Sequence, residues 1–355
     1  MSGRSPRGFR ETSLTEPGEG LPAGRRRSDG TRGLAVLGLA FIAVFALSLL
    51  LGRYPEAGLL APSRIFSDEL GARVFFRLRL PRVVTAALLG ASLAGAGCAF
   101  QMLFKNPLVE PGFLGVTQGA ALGAASAILF LPGVPGAVQV SAVVFALAGL
   151  SLSYAVARKI RFGGWVIRMV ISGLAVSALF ASGVGILKYV ADPFSELQEL
   201  TFWMLGGLQG ITWADVIGLA PVTVPGLVLL YAYRWRLNLL SLDDLTAFSL
   251  GANPARQRLL LLFAASLATA GVTAVSGIVA WVGLLVPHLA RRFFGAEGSR
   301  VLPASLLIGA IMVVVCDDIA RSAAAFEFPL GILTSLLGAG LFLILLASGE
   351  VRFRR

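Results

Sequence analysis

Long uncharged apolar runs alternate with short polar stretches along this 355-residue chain. Residues 34–52 hold no charged side chain, nor do 83–104, nor do 111–157. The last run is 47 residues long, against the roughly 20 that one helical crossing of a bilayer needs, so it predicts two spans. Strand-barrel alternation is absent, and lipid cannot satisfy free backbone polar groups, so the spans are read as helices. The pattern gives ten: 34–52, 83–104, 112–131, 137–157, 166–190, 211–233, 258–276, 278–294, 301–323 and 329–347. The count depends on dividing residues 259–290. As one helix this uncharged run would be about 48 Å long, against a hydrocarbon core of about 30 Å. Ser276 and Gly277 offer the break. The fold class that follows is all-α, a polytopic membrane protein with about ten transmembrane helices.

Loop charge sets the orientation. With ten spans and a cytoplasmic amino terminus, 22 of the 30 basic residues fall on the cytoplasmic side, as positive-inside bias requires. Nine spans would leave only 17 there. Both termini are therefore expected in the cytoplasm, on a multi-pass chain embedded in the lipid of the cytoplasmic (inner) membrane. Residues 1–33, rich in Gly, Pro, Ser and Arg, read as a disordered basic tail, and 34–355 as the transmembrane domain. The tail is too long and mixed for the basic region of a cleaved signal peptide, so 34–52 reads as a retained span. One group departs from the bias: six arginines lie in the first outer loop, five of them between Arg64 and Arg82. They either snorkel to lipid headgroups or present a docking surface to something acidic outside.

The net charge of +11 does not point to nucleic acid, because no groove-sized basic face with interleaved aromatics exists. Cys98 and Cys316 fall inside apolar segments and read as small buried hydrophobes. The single histidine, His288, has no neighbouring carboxylate or thiol to complete a zinc or haem site. No metal, cofactor or catalytic residue is expected. Ion-coupled carriers keep an ionisable group near the midplane, whereas Asp317, Asp318 and Glu327 sit towards span ends. An ion-coupled secondary transporter is the alternative class.

After the second span the chain reads QMLFKNPLVEPGFLGVTQGA over 101–120. Pro107, Pro111, Gly112 and Gly115 preclude one straight helix. They predict a broken segment in which the Gln101 and Asn106 amides satisfy freed backbone groups. Upstream, Gly90, Ala91, Ala94, Gly95, Ala96 and Gly97 form a small-residue face suited to close helix packing. Pro221 and Pro225 are expected to kink the sixth span. In the cytoplasmic loop 237–253, Ser241 and Asp244 resemble a capping box, and Gly251 is placed to end the short helix it opens. Leu242, Leu245 and Phe248 would share an apolar face, which suggests a protein partner or a helix lying on the membrane.

The ordered set of motifs resembles one family, the FecCD-type iron-chelate (siderophore), haem and cobalamin permeases of type II ABC importers. Its pieces are RLPR at 79–82, GASLAGAG at 90–97, NPLVEPGFLGV at 106–116, FWMLGGL at 202–208, GLLVPHLAR at 283–291 and LPASLLIGA at 302–310. Asp317 with Arg321, then EFPLG at 327–331, complete it. The resemblance implies the type II ABC importer permease fold with ten spans per subunit. It also implies a homodimer enclosing the path, two cytoplasmic ABC ATPase subunits and an extracytoplasmic substrate-binding protein. The chain itself has no phosphate-cradling GxxxxGK[ST] loop, so it would be a non-catalytic subunit, with ATP hydrolysis elsewhere. By motif position, Arg79, Arg82 and Arg321 would receive acidic residues of the binding protein; for Arg321 the rival is a pair with Asp317 four residues earlier. Leu242, Asp244, Leu245, Ala247, Phe248 and Gly251 would couple to the ATPases, with Asp243 and Asp244 standing where the family has Gly-Glu. Gln101, Asn106, Pro107, Pro111, Gly112 and Gly115 would form the broken-helix motif of the translocation path. The cargo implied first is a ferric siderophore, with haem, cobalamin or molybdate as alternatives.

Overall fold

The computed structural model describes residues 23–53, 58–61, 65, 68–324 and 326–347. Helix α1 (Ala23–Leu50) ends in a two-residue antiparallel pair, β1 (Leu51–Gly52) with β2 (Gly58–Leu59). Then comes α2 (Glu69–Phe104), which is π-helical over Val74–Arg79. A 3-10 turn, Pro111–Leu114, precedes α3 (Val116–Phe130), followed by α4 (Ala137–Lys159) and α5 (Trp165–Val190). Next are α6 (Glu196–Leu205), α7 (Trp213–Ala232), α8 (Arg234–Leu240) and α9 (Asp244–Ser249). The chain closes with α10 (Pro254–Ser276), α11 (Val282–Phe294), α12 (Gly298–Ser322) and α13 (Leu330–Ala347).

Seven of these helices are long and apolar enough to cross a membrane. With the shorter α3, α11 and α13, each of the ten predicted spans has its helix. The division of 259–290 falls at the expected place. Helix α10 ends at Ser276, Gly277 turns with φ 68°, and Trp281 starts α11 from φ 71°. Pro221 and Pro225 both lie inside α7, which continues as one helix through them.

One expectation needs correction. Residues 23–33, assigned to the tail, are helical, since α1 begins at Ala23; despite three glycines, they extend a helix whose nucleus the apolar span downstream supplies. Between the fifth and sixth spans, where no element was predicted, lies α6, with Glu196 and Glu199 in its first turn complementing the helix dipole. Residues 1–22, Arg64 and the carboxyl-terminal Arg352, Arg354 and Arg355 lie outside the described residues.

Helix α2 is the hub, packing against α10, α11 and α12. Its buried side chains are mostly small, including Ala86, Gly90, Ala94 and Gly97. At the crossing with α12, Gly90 and Gly309 face each other so closely that a Cβ on either would overlap the other's carbonyl oxygen. Lipid tails are as apolar as leucine, so helices associate in a bilayer by such close backbone packing rather than by escape from water.

Candidate functional site

One end of the bundle is tied by arginine. Arg82, at the start of the span in α2, directs Nε and Nη2 to Asp317 of α12 at 2.9–3.1 Å. Its Nη1 reaches the carboxylate of Glu327, just before α13, at 3.0 and 3.1 Å. Asp317 is wholly buried. Arg321 lies 3.6 Å from Asp317, and it also donates to the carbonyls of Ser48 and Leu51 at 2.6 and 2.7 Å and pairs with Asp318. Arg79 is 5% exposed and donates to the carbonyls of Leu49 and Leu50. All three guanidinium groups are thus engaged within the chain, although Arg321 Nε has no hydrogen-bond partner; Arg79 and Arg321 hold the end of α1 to α2 and α12, and Arg82 ties α2 to α12. At helical spacing the sequence offered Asp317 to Arg321 as the rival to docking. It missed Arg82 as the closer partner because the two lie 235 positions apart.

At its carboxyl end α2 stops at Phe104, and Lys105 adopts φ 52°. Asn106 Oδ1 accepts from Leu108 N at 2.9 Å, and Gln101 Nε2 donates to Gly283 and Leu284 carbonyls at 3.3 and 3.0 Å. Gln101 Oε1 accepts from Arg291. The two amides therefore act as expected, and Gln101 joins the first break to the start of α11. Pro107 is exposed, Pro111 is buried and opens the 3-10 turn, and Gly115 (φ 79°) precedes α3.

The residues expected to couple to a partner lie in and beside α9. Asp243, not Ser241, caps it, accepting from Thr246 N at 3.0 Å, while Ser241 Oγ donates to the Asn238 carbonyl. The adjacent acid freed Ser241 from that task. Gly251 (φ 80°) lies just past its end, with Ala252 N donating to the Ala247 carbonyl at 3.0 Å. Ala247 is buried, whereas Leu245 is 82% and Phe248 68% exposed, with Leu242 and Leu250 beside them. Asp244 is not on that face: it takes two hydrogen bonds from Arg258 of α10, at 3.1 and 2.5 Å. The Arg258 guanidinium also lies 5.1 Å from the Trp165 ring at the start of α5. Lys105 Nζ donates to the Leu242 carbonyl at 2.8 Å. Arg258 holds the Asp244 carboxyl below the usual range. The contribution of this latch is complete above about pH 4 and is lost only as pH falls through the lowered value. Arg258, Trp165 and Lys105 were not foreseen, since only the fold brings them to α9.

Three comparisons bear on this arrangement. The profile of the FecCD transport family matches residues 39–348. An iron chelatin transport system permease protein of Helicobacter pylori is 40% identical over 290 residues, covering 79% of this chain and 85% of its own length. The molybdate import system permease protein MolB of Haemophilus influenzae is 35% identical over 317 residues, covering 87% and 93%. Among solved structures, a metal-chelate type ABC transporter in an inward-facing conformation superposes with a TM-score of 0.82 at 34% identity, covering 90% of this chain and 99% of that one.

Proposed function

The chain belongs to the FecCD transport family, and from that premise we propose that it carries a ferric siderophore or a related metal chelate inward by alternating access, driven by partner ATPases. At the coarser level it is a multi-pass membrane permease of an ABC importer. The observation that carries the ATP-driven part of this reading is α9. A six-residue helix with two nearly bare apolar side chains, Leu245 and Phe248, is latched by its acid to a long buried helix. Such a patch has nothing in this chain to cover, and it suits the groove of a cytoplasmic ATPase subunit. In this reading the chain pairs with a second copy of itself, keeps both termini in the cytoplasm and leaves hydrolysis to the ATPases.

Of the three arginines expected to dock, Arg82 is the one that would receive acidic residues of the binding protein; Arg79 and Arg321, buried and engaged by this chain's own carbonyls and carboxylates, instead hold its helices together. Arg82 is the most direct contact, because its Nη1 is held only by Glu327, a side chain 37% exposed. Charge-assisted contacts of this kind favour orientation and encounter rate. Molybdate is the second cargo reading, favoured by the similarity to MolB over nearly all of both chains.

The test reconstitutes the chain with its ATPases in liposomes and measures ATP-dependent uptake. Leu245→Asp with Phe248→Asp should leave membrane expression intact, because both side chains are exposed. It should lower ATPase co-purification and uptake by about a hundredfold, on the scale of a lost interface hot spot. Undiminished uptake by that variant, or equal uptake without ATP, would defeat the reading.

A further inference from the structure

Two interrupted backbone segments face one cavity of about 320 Å³. The link between α2 and α3 contributes Glu110, Pro111 and Gly112, and the link between α10 and α11 contributes Ile278, Val279 and Ala280. Leu93, midway along the span in α2, and Ser177, near the middle of α5, mark its depth. Irregular backbone at membrane depth is tolerated where it lines a cavity, and discontinuous helices are a common place for ion sites.

Glu110 is the one acid lining this cavity, and no lysine, arginine or histidine lines it. Among the described residues its carboxylate has no hydrogen-bond or ion-pair partner. Oxygens gather round Gly112. A methyl group on its Cα would sit 3.5 Å from Glu110 Oε1 and 3.5 Å from Thr117 Oγ1. Ser177 Oγ donates to the Gly112 carbonyl at 3.4 Å. Thr269 and Thr273 of α10 add hydroxyls to the wall.

A single fixed negative charge among neutral oxygen donors suits a monovalent cation. Calcium sites draw on several carboxylates, and no group of three or more His, Cys, Asp and Glu is assembled among the described residues. We propose that Glu110, with Thr117 and Ser177, binds a monovalent alkali cation in the membrane-embedded part of this chain. The cavity has room for about ten waters, so the ion would remain partly hydrated. This site does not depend on the cargo or on the ATPases, so it stands or falls apart from the transport reading.

The test melts the purified full-length chain in lipid nanodiscs, titrating NaCl or KCl against choline chloride at constant ionic strength. Wild type should show a saturable rise in Tm with an alkali cation and none with choline, since an ion that binds only the folded state stabilises it. Glu110→Gln should abolish the rise. Gly112→Ala should weaken the apparent affinity about tenfold or more, because its methyl occupies the space between the oxygens while leaving the carboxylate in place. It also keeps the test alive if Glu110→Gln fails to fold. Identical melting of wild type in all three salts overturns the proposal, as does a cation response retained by Glu110→Gln. A Tm that follows pH alone, without cation selectivity, also overturns it and assigns the carboxylate to a proton.

Discussion

Replacing Gly90 with valine is expected to destabilise the chain by about 3 kcal/mol or more, at the upper end for overpacking. The reason is what the new side chain meets. A Cβ on Gly90 would fall on the carbonyl oxygen of Gly309, and one on Gly309 would fall on the carbonyl of Gly90. Backbone has no rotamer to yield, so α2 and α12 must separate. The separation spreads, because the same α12 carries Asp317 and Arg321 to the arginine cluster. Gly309→Val should cost a similar amount. Gly38→Ala on α1, where a Cβ meets nothing within 4 Å, should be neutral or stabilising by up to about 1 kcal/mol. Thermal melting of the detergent-purified chain with size-exclusion profiles would measure all three. Equal melting of Gly90→Val and wild type would mean that the two helices do not cross there.

Arg82→Ala is expected to cost about 3–5 kcal/mol, because it leaves the buried Asp317 carboxylate without its closest counter-charge. Arg321, 3.6 Å away, offsets part of this, which places the expected loss towards the lower figure. Docking to the binding protein therefore cannot be read from Arg82→Ala alone, since the variant is also destabilised. The informative variant joins Arg82→Gln to Asp317→Asn, removing both charges together. Its melting temperature should recover most of the single variant's loss, as replaced buried ion pairs often do. If Arg82 receives a binding-protein carboxylate, affinity for that protein should stay low in the refolded double variant. Recovered stability with wild-type affinity would end the docking assignment for Arg82.

The spans were legible because uncharged runs of 19 residues or more, such as 34–52, have few alternatives to crossing lipid. The break after Ser276 was legible because 32 uncharged residues exceed one crossing and a serine–glycine step sits within them. The apolar face of α9 could be read from spacing alone. What stayed hidden was set by distance along the chain. Nothing local to Arg82 or Arg258 names Asp317 or Asp244 as its partner. Glu110 stood within a quoted motif, yet its isolation is a property of the surrounding helices. The small helix α6 was missed for another reason: ten residues with two acids are too short and too charged to resemble a span.

Helix α10 is an unbroken rod about 35 Å long. Arg258, in its first turns, pairs with Asp244 of α9, and beyond its other end Ile278, Val279 and Ala280 enter the wall of the Glu110 cavity. If α9 is where a partner ATPase engages, as proposed, a displacement there would reach that cavity along one continuous helix rather than through a loop.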